Sequence, residues 1–104
     1  MREFHHIGLP TGRKQPNERY VPATRVWTTN PDDHPYRIEF LRFEPDSSVT
    51  SPVRDQVHVA FKTDNLEREI RGEDLLLGPF SPRDGLRVAF IRKDGAVLEF
   101  MQWD

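Results

Sequence analysis

The chain has 104 residues, no cysteine, and 15 Lys+Arg against 17 Asp+Glu, for a net charge of -2. That length suits one domain with a single core, and near-balanced, interspersed charges give no electrostatic reason to expect nucleic acid or an anionic membrane as partner. Without cysteine there is no disulfide, thiolate catalysis or cysteine-bound zinc, so any metal site must use His, Asp or Glu.

No stretch has the length and apolarity of a membrane span, and the start of the chain has no apolar signal region. The expectation is a soluble, cytoplasmic protein.

The first predicted strand is REFHHIGL, residues 2–9. Strict alternation places His6 on one face with Phe4 and Gly8, and turns His5 to the other face in a structural or solvent-facing role. PTGRKQPNERYVP (10–22) has three prolines and no helical stripe, and reads as an extended loop. ATRVWTT (23–29) and YRIEFLRF (36–43) are predicted strands, with His34 a turn residue between them. EPDSSVTSP (44–52) is a Pro/Ser-rich connection, and it divides the single domain into modules of about 1–50 and 51–104.

The second module opens with QVHVAFK (56–62), a strand apolar on both faces with His58 near its centre. DNLEREIRG (64–72) is the one predicted helix. Asp64 is its expected N-cap with Glu67 three residues on, Leu66 and Ile70 form its apolar stripe, and Gly72 is its C′ residue. EDLLLGPFS (73–81) reads as a further strand, and LRVAFIRKDGAVLEFMQW (86–103) as a hairpin around Asp94-Gly95, a primed-turn pair.

The two modules echo one another. Each opens on a strand with a histidine before small and apolar residues, HIGL and then HVAF. Each closes on a strand with a glutamate before phenylalanine, RIEFL and then VLEFM. Alternation places His6, Glu39, His58 and Glu99 on the mixed faces of their strands, opposite faces that are wholly apolar. Taken singly, each has an ordinary explanation: a satisfied core histidine, or a glutamate paired with Arg37, Arg42 or Arg87. Taken together, at equivalent places in two similar modules, two imidazoles and two carboxylates suit a shared divalent cation such as Zn, Ni, Co, Mn or Fe.

FHHIGLP, RIEFLRFEPDS, VHVAFKTDNLE and AVLEFMQW resemble the four signature strands of the vicinal-oxygen-chelate superfamily, which includes glyoxalase I, methylmalonyl-CoA epimerase, bleomycin-resistance proteins and extradiol dioxygenases. The resemblance spans nearly the whole chain and is nearest the epimerase and glyoxalase branches. It implies an α+β fold: two βαβββ modules forming an open, partly closed mixed β-barrel around one metal, with His6, Glu39, His58 and Glu99 as ligands. It also implies two open metal positions for adjacent substrate oxygens, and enediolate-type proton transfer, in an isomerase, epimerase or lyase, on a small oxygenated metabolite. Glu99 or Glu39 is the expected base. Phe4, Leu41, Phe43, Val97 and Met101 would form the pocket wall, and Arg37 or Arg87 would hold a substrate anion.

The chain departs from that pattern where TGRKQPNERYVP replaces the first-module helix. Ile7, Ile38 and Phe40 then lack their usual cover, which points to a homodimer burying them. Two other readings use related folds: a non-catalytic, drug-sequestering module, for which a complete ligand set is superfluous, and an extradiol-type oxygenase, which needs only one carboxylate. A cupin-like barrel fits poorly, because its paired-histidine motif is absent and the helix at 64–72 is foreign to it.

Overall fold

Apolar alternation becomes β-structure over most of the chain. A computed structural model describes residues 1–104 as strands β1 (Arg2–Pro10), β2 (Arg19–Val21), β3 (Val26–Thr28) and β4 (Ile38–Phe43), then β5 (His58–Thr63), β6 (Asp74–Arg83), β7 (Leu86–Lys93) and β8 (Ala96–Trp103). One short helix, α1 (Leu66–Ile70), follows β5. All eight strands form one mixed sheet in the order β2-β3-β4-β1-β5-β8-β7-β6. The sheet curls, so that both of its wings line one cavity on the concave side. No helix is long and apolar enough to cross a membrane.

The strand order contains an internal two-fold. β1-β4-β3-β2 runs outward from the centre on one side, and β5-β8-β7-β6 does so on the other. β1 and β5 are antiparallel neighbours in the middle, whereas β1–β4 and β5–β8 are parallel pairs. The register carries the symmetry down to single residues. His6 faces Ala60 and Gly8 faces His58 across the central pair, while Gly8 aligns with Glu39 and Ala60 with Glu99.

Two apolar layers hold the sheet. On the concave side Val49, Val53, Ala60, Leu86, Val88, Phe90, Val97 and Met101 form a buried cluster. On the convex side α1 packs Leu66 against Ala89, Ile91 and Phe100. The helix is fastened at its start, where the Leu66 N–H donates to Oε1 of Gln102 at 2.8 Å. Its N-cap is Asn65, whose side chain accepts from the Arg68 N–H at 3.0 Å, rather than Asp64. Asp64 instead meets the terminal amino group at 2.7 Å and the Arg68 guanidinium at 3.0 Å. The hairpin turn is as expected, with φ of 53° at Asp94 and 81° at Gly95.

Three further expectations need correction. Part of the loop 10–22 is the edge strand β2, too short at three residues to show a period. Residues 23–25 and 36–37 lie outside the strands predicted there; Arg25 and Arg37 have φ of 49° and 58°, which ends extended backbone. Finally, the convex face of the first half is not bare. Residues 15–17 and the turn at 29–34 border Ile38 and Phe40, and leave them half-buried in place of a covering helix.

Candidate metal centre

The site lies where β1, β4, β5 and β8 run side by side. His6 comes from β1, Glu39 from β4, His58 from β5 and Glu99 from β8, and all project to the concave side near the two-fold. Nε2 of His6 lies 3.4 Å from Oε1 of Glu39 and 3.4 Å from Oε1 of Glu99. Nε2 of His58 lies 3.1 Å from the same Glu99 oxygen. His6, Glu39 and His58 each offer a ligand atom within 4.8 Å of the others. The four side chains thus converge, with Glu99 touching both rings.

Burial makes this arrangement costly unless positive charge is present. Both imidazoles are 1 % exposed, and the side chains of Glu99 and Glu39 are 9 % and 18 % exposed. Burial disfavours a charged His6, but the carboxylates of Glu39 and Glu99 outweigh it and raise its pKa to about 9. Burial likewise disfavours a charged Glu99, and contacts with His58 and His6 outweigh it, holding the carboxyl below its usual range.

Even so, two polar atoms stay unsatisfied. Nε2 of His6, at 3.4 Å from each carboxylate, makes no hydrogen bond, and neither does Nδ1 of His58. A divalent cation on Nε2 would displace the His6 proton, and the two carboxylates with two then neutral imidazoles carry a charge of -2 that it balances. The donor set and the unpaired Nε2 therefore fit a borderline divalent metal.

Glycine is required at one point. Gly8 lies opposite His58, and a Cβ there would overlap the His58 ring. The space that a side chain would take at Gly8 is filled by the imidazole.

A small cavity of about 90 Å³ opens from Glu39 and Glu99. Its wall is mostly apolar, with Val26, Leu41, Phe43, Val88, Phe90 and Met101 among the lining residues. Of the expected wall, Leu41, Phe43 and Met101 are present, but Phe4 and Val97 are not. Val97 is 2 % exposed inside the core. Phe4 is 46 % exposed and pairs with Phe61, on the face away from the site.

The cause is a β-bulge. The register slips by one residue between Phe4 and His6, so strict alternation fails at His5. His5 is therefore beside His6, not behind it, with the two Nδ1 atoms 2.8 Å apart.

The expected anion holders are also engaged elsewhere. Arg37 Nη1 meets Asp32 at 3.0 Å while its Nε donates to the His5 carbonyl, and Arg87 meets Glu67 at 2.8 Å. Arg83, which was not singled out in the sequence, borders the cavity and makes no salt bridge. Its only sequence signal is its place at the end of the β6–β7 hairpin.

No family model and no curated protein matches the chain. Among solved structures, its fold is similar to that of the hypothetical protein BH1468 from Bacillus halodurans C-125, with a TM-score of 0.68 and 17% sequence identity. The match covers 99% of this chain and 95% of that one, so nearly the whole architecture is shared.

Proposed function

We propose that the protein is a glyoxalase-like, metal-dependent enzyme of the vicinal-oxygen-chelate type, acting by proton transfer on a small oxygenated metabolite. The observation that carries this reading is the buried Nε2 of His6, without a hydrogen bond of its own and set between carboxylate oxygens of Glu39 and Glu99 at 3.4 Å each. His6, His58, Glu39 and Glu99 would hold one divalent ion, which supplies Lewis-acid polarisation of neighbouring substrate oxygens. The paired halves, each with a parallel outer-to-inner strand pair, support the two-module barrel that this reading requires.

The remaining chemistry belongs to the chain. Glu39 and Glu99 border the cavity, and either carboxylate would take the proton from the carbon next to a carbonyl seated there. Glu39 is the more exposed and does not touch His58, which leaves it freer to move. Leu41, Phe43 and Met101 exclude water and favour an apolar body on the substrate. Arg83, without a carboxylate partner, faces a substrate anion at the rim.

A second reading, an apolar cup that binds without turnover, draws on the same lining. We also propose a homodimer that buries the half-buried Ile7, Ile38 and Phe40 together with Val57, which is 50% exposed.

The deciding experiment is elemental analysis of protein purified without added metal, beside the double variant His58→Ala, Glu99→Ala. Stoichiometric metal in the wild type that vanishes in the variant supports the enzyme. A wild type that stays metal-free under zinc, nickel, cobalt, manganese and iron loading overturns it in favour of the apolar cup.

A further inference from the structure

We propose that His5 is the positioning residue of the metal centre, accepting a hydrogen bond from Nδ1–H of His6 and so holding Nε2 of His6 toward Glu39 and Glu99. This deepens the metal-centre reading above and rests on it.

The geometry begins with the bulge. One extra residue in β1 brings the His5 side chain to the His6 side of the strand, where the Nδ1 atoms approach to 2.8 Å. Two imidazole nitrogens at that distance share one proton, so one ring donates and the other accepts. A cation on Nε2 of His6 requires the proton of that ring to be on Nδ1. His6 must then donate, and His5 is the acceptor that Nδ1 has.

The His5 ring is itself held. It packs 5.2 Å from the Trp103 ring, and its carbonyl accepts from Nε of Arg37, which also meets Asp32 at 3.0 Å. Arg37 therefore fastens the bulge rather than a substrate. The other histidine provides an internal control. His58 begins β5, pairs in regular register from there through Ala60, and keeps a buried Nδ1 without any partner. Only His6 has a hydrogen-bonding neighbour on its Nδ1, whereas His58 is held through Nε2 by Glu99.

Orienting partners of metal-bound histidines commonly control affinity by about 10–100-fold. His5→Phe keeps a ring in place and removes the acceptor, whereas His5→Asn places an amide oxygen near the former Nδ1. The test has two parts.

First, nitrogen-15 imidazole spectra of the metal-free wild type near neutral pH identify which Nδ1 is protonated. A proton on Nδ1 of His6 beside a bare Nδ1 on His5 is expected, and the reverse assignment overturns the proposal. Second, zinc titration of the three proteins should show His5→Phe weaker by about 10–100-fold, and His5→Asn close to wild type. Equal zinc affinity for His5→Phe and wild type, with both folded by circular dichroism, also overturns it. Should the wild type take up none of zinc, nickel, cobalt, manganese or iron, the metal reading fails, and the spectra still decide which ring donates.

Discussion

The two halves of the sheet share a strand order and differ in what each adds to it. Of the fourteen buried hydrophobic residues, only Val26, Leu41 and Val49 lie in residues 1–50. The second half holds the rest, including Leu66, which is 0 % exposed beneath its own helix. The first half replaces that helix with a proline-bearing loop and leaves Ile7, Ile38 and Phe40 half-buried. At the centre the difference reverses direction. β1 supplies the bulge, the glycine that admits His58, and the His5–His6 contact, whereas β5 supplies a regular strand with Ala60. Stability is concentrated in one half, and the local departures that shape the site are concentrated in the other. A duplicated topology thus lets the site depart from regular β-structure on one side while the other side carries the core.

The sharpest way to break this comparison is to remove the helix's anchor. Leu66→Ala is expected to cost about 2–5 kcal/mol, the range for a fully enclosed leucine. Ile38→Ala, on the half-buried counterpart face, should cost well under half as much. Urea unfolding of both variants measures the difference, and equal losses would mean that the halves share the load.

Raising the pH tests the centre without mutation. In the metal-free protein the folded pKa of His6 is about 9 against 6.5 for a free imidazole, because Glu39 and Glu99 favour its charged form over the cost of burial. A raised folded pKa contributes stability that is complete below about 6.5 and lost as pH climbs through about 9. Glu99 is shifted the opposite way, so its contribution is present above the ordinary carboxyl range and lost on acidification. Unfolding free energy should therefore peak on the acidic side of neutrality and fall by about 2–3 kcal/mol toward pH about 9. His6→Gln should flatten the alkaline fall. A curve that stays level to about pH 9 in the wild type would show that His6 is not held as a cation there.

Exchanging the residues that the two-fold relates probes the site more finely. Gly8→Ala places a methyl group against the His58 ring, and overpacking of that kind costs about 1–3 kcal/mol. It should also weaken zinc binding by at least about tenfold, since the ring must move. Ala60→Gly, at the equivalent place beside His6, should cost only about 0.5–1 kcal/mol, through backbone freedom. Zinc titration and thermal unfolding read both effects.

The same contrast explains what could be read from the chain. Period-two alternation is a property of regular strands, and β4, β5 and β8 obey it through Glu39, His58 and Glu99. Their convergence with His6 followed from alternation and from the echo between HIGL and HVAF. Alternation fails where a residue is inserted, so one bulge that no local residue type marks turns Phe4 and His5 to the faces opposite those that strict alternation predicts. The place of Arg37 is not legible in the chain, because its left-handed backbone turns the guanidinium toward Asp32 and the His5 carbonyl, a feature that depends on the turn before β4. Arg83 could not be found in advance, because the cavity rim exists only once β6 folds across from β3. The N-cap is Asn65 rather than Asp64 because Asp64 is engaged by the terminal amino group and Arg68.

The smallest expected change in stability concerns the convex face where the start of β5 borders the less covered half. Val57 is 50% exposed and follows no helix, so Val57→Asp should leave monomer stability within about 0.5 kcal/mol. Its consequence would appear in association instead. If two copies bury Ile7, Ile38 and Val57 against each other, a charge placed at that contact must be desolvated without a partner. Light scattering should then report twice the chain mass for the wild type at micromolar concentration and the single-chain mass for Val57→Asp. A wild type that is monomeric under those conditions would leave the loop at 15–17 and the turn at 29–34 as cover enough for this half. The two halves would then differ in how they shield the same kind of face, and not in whether they need a second chain to do so.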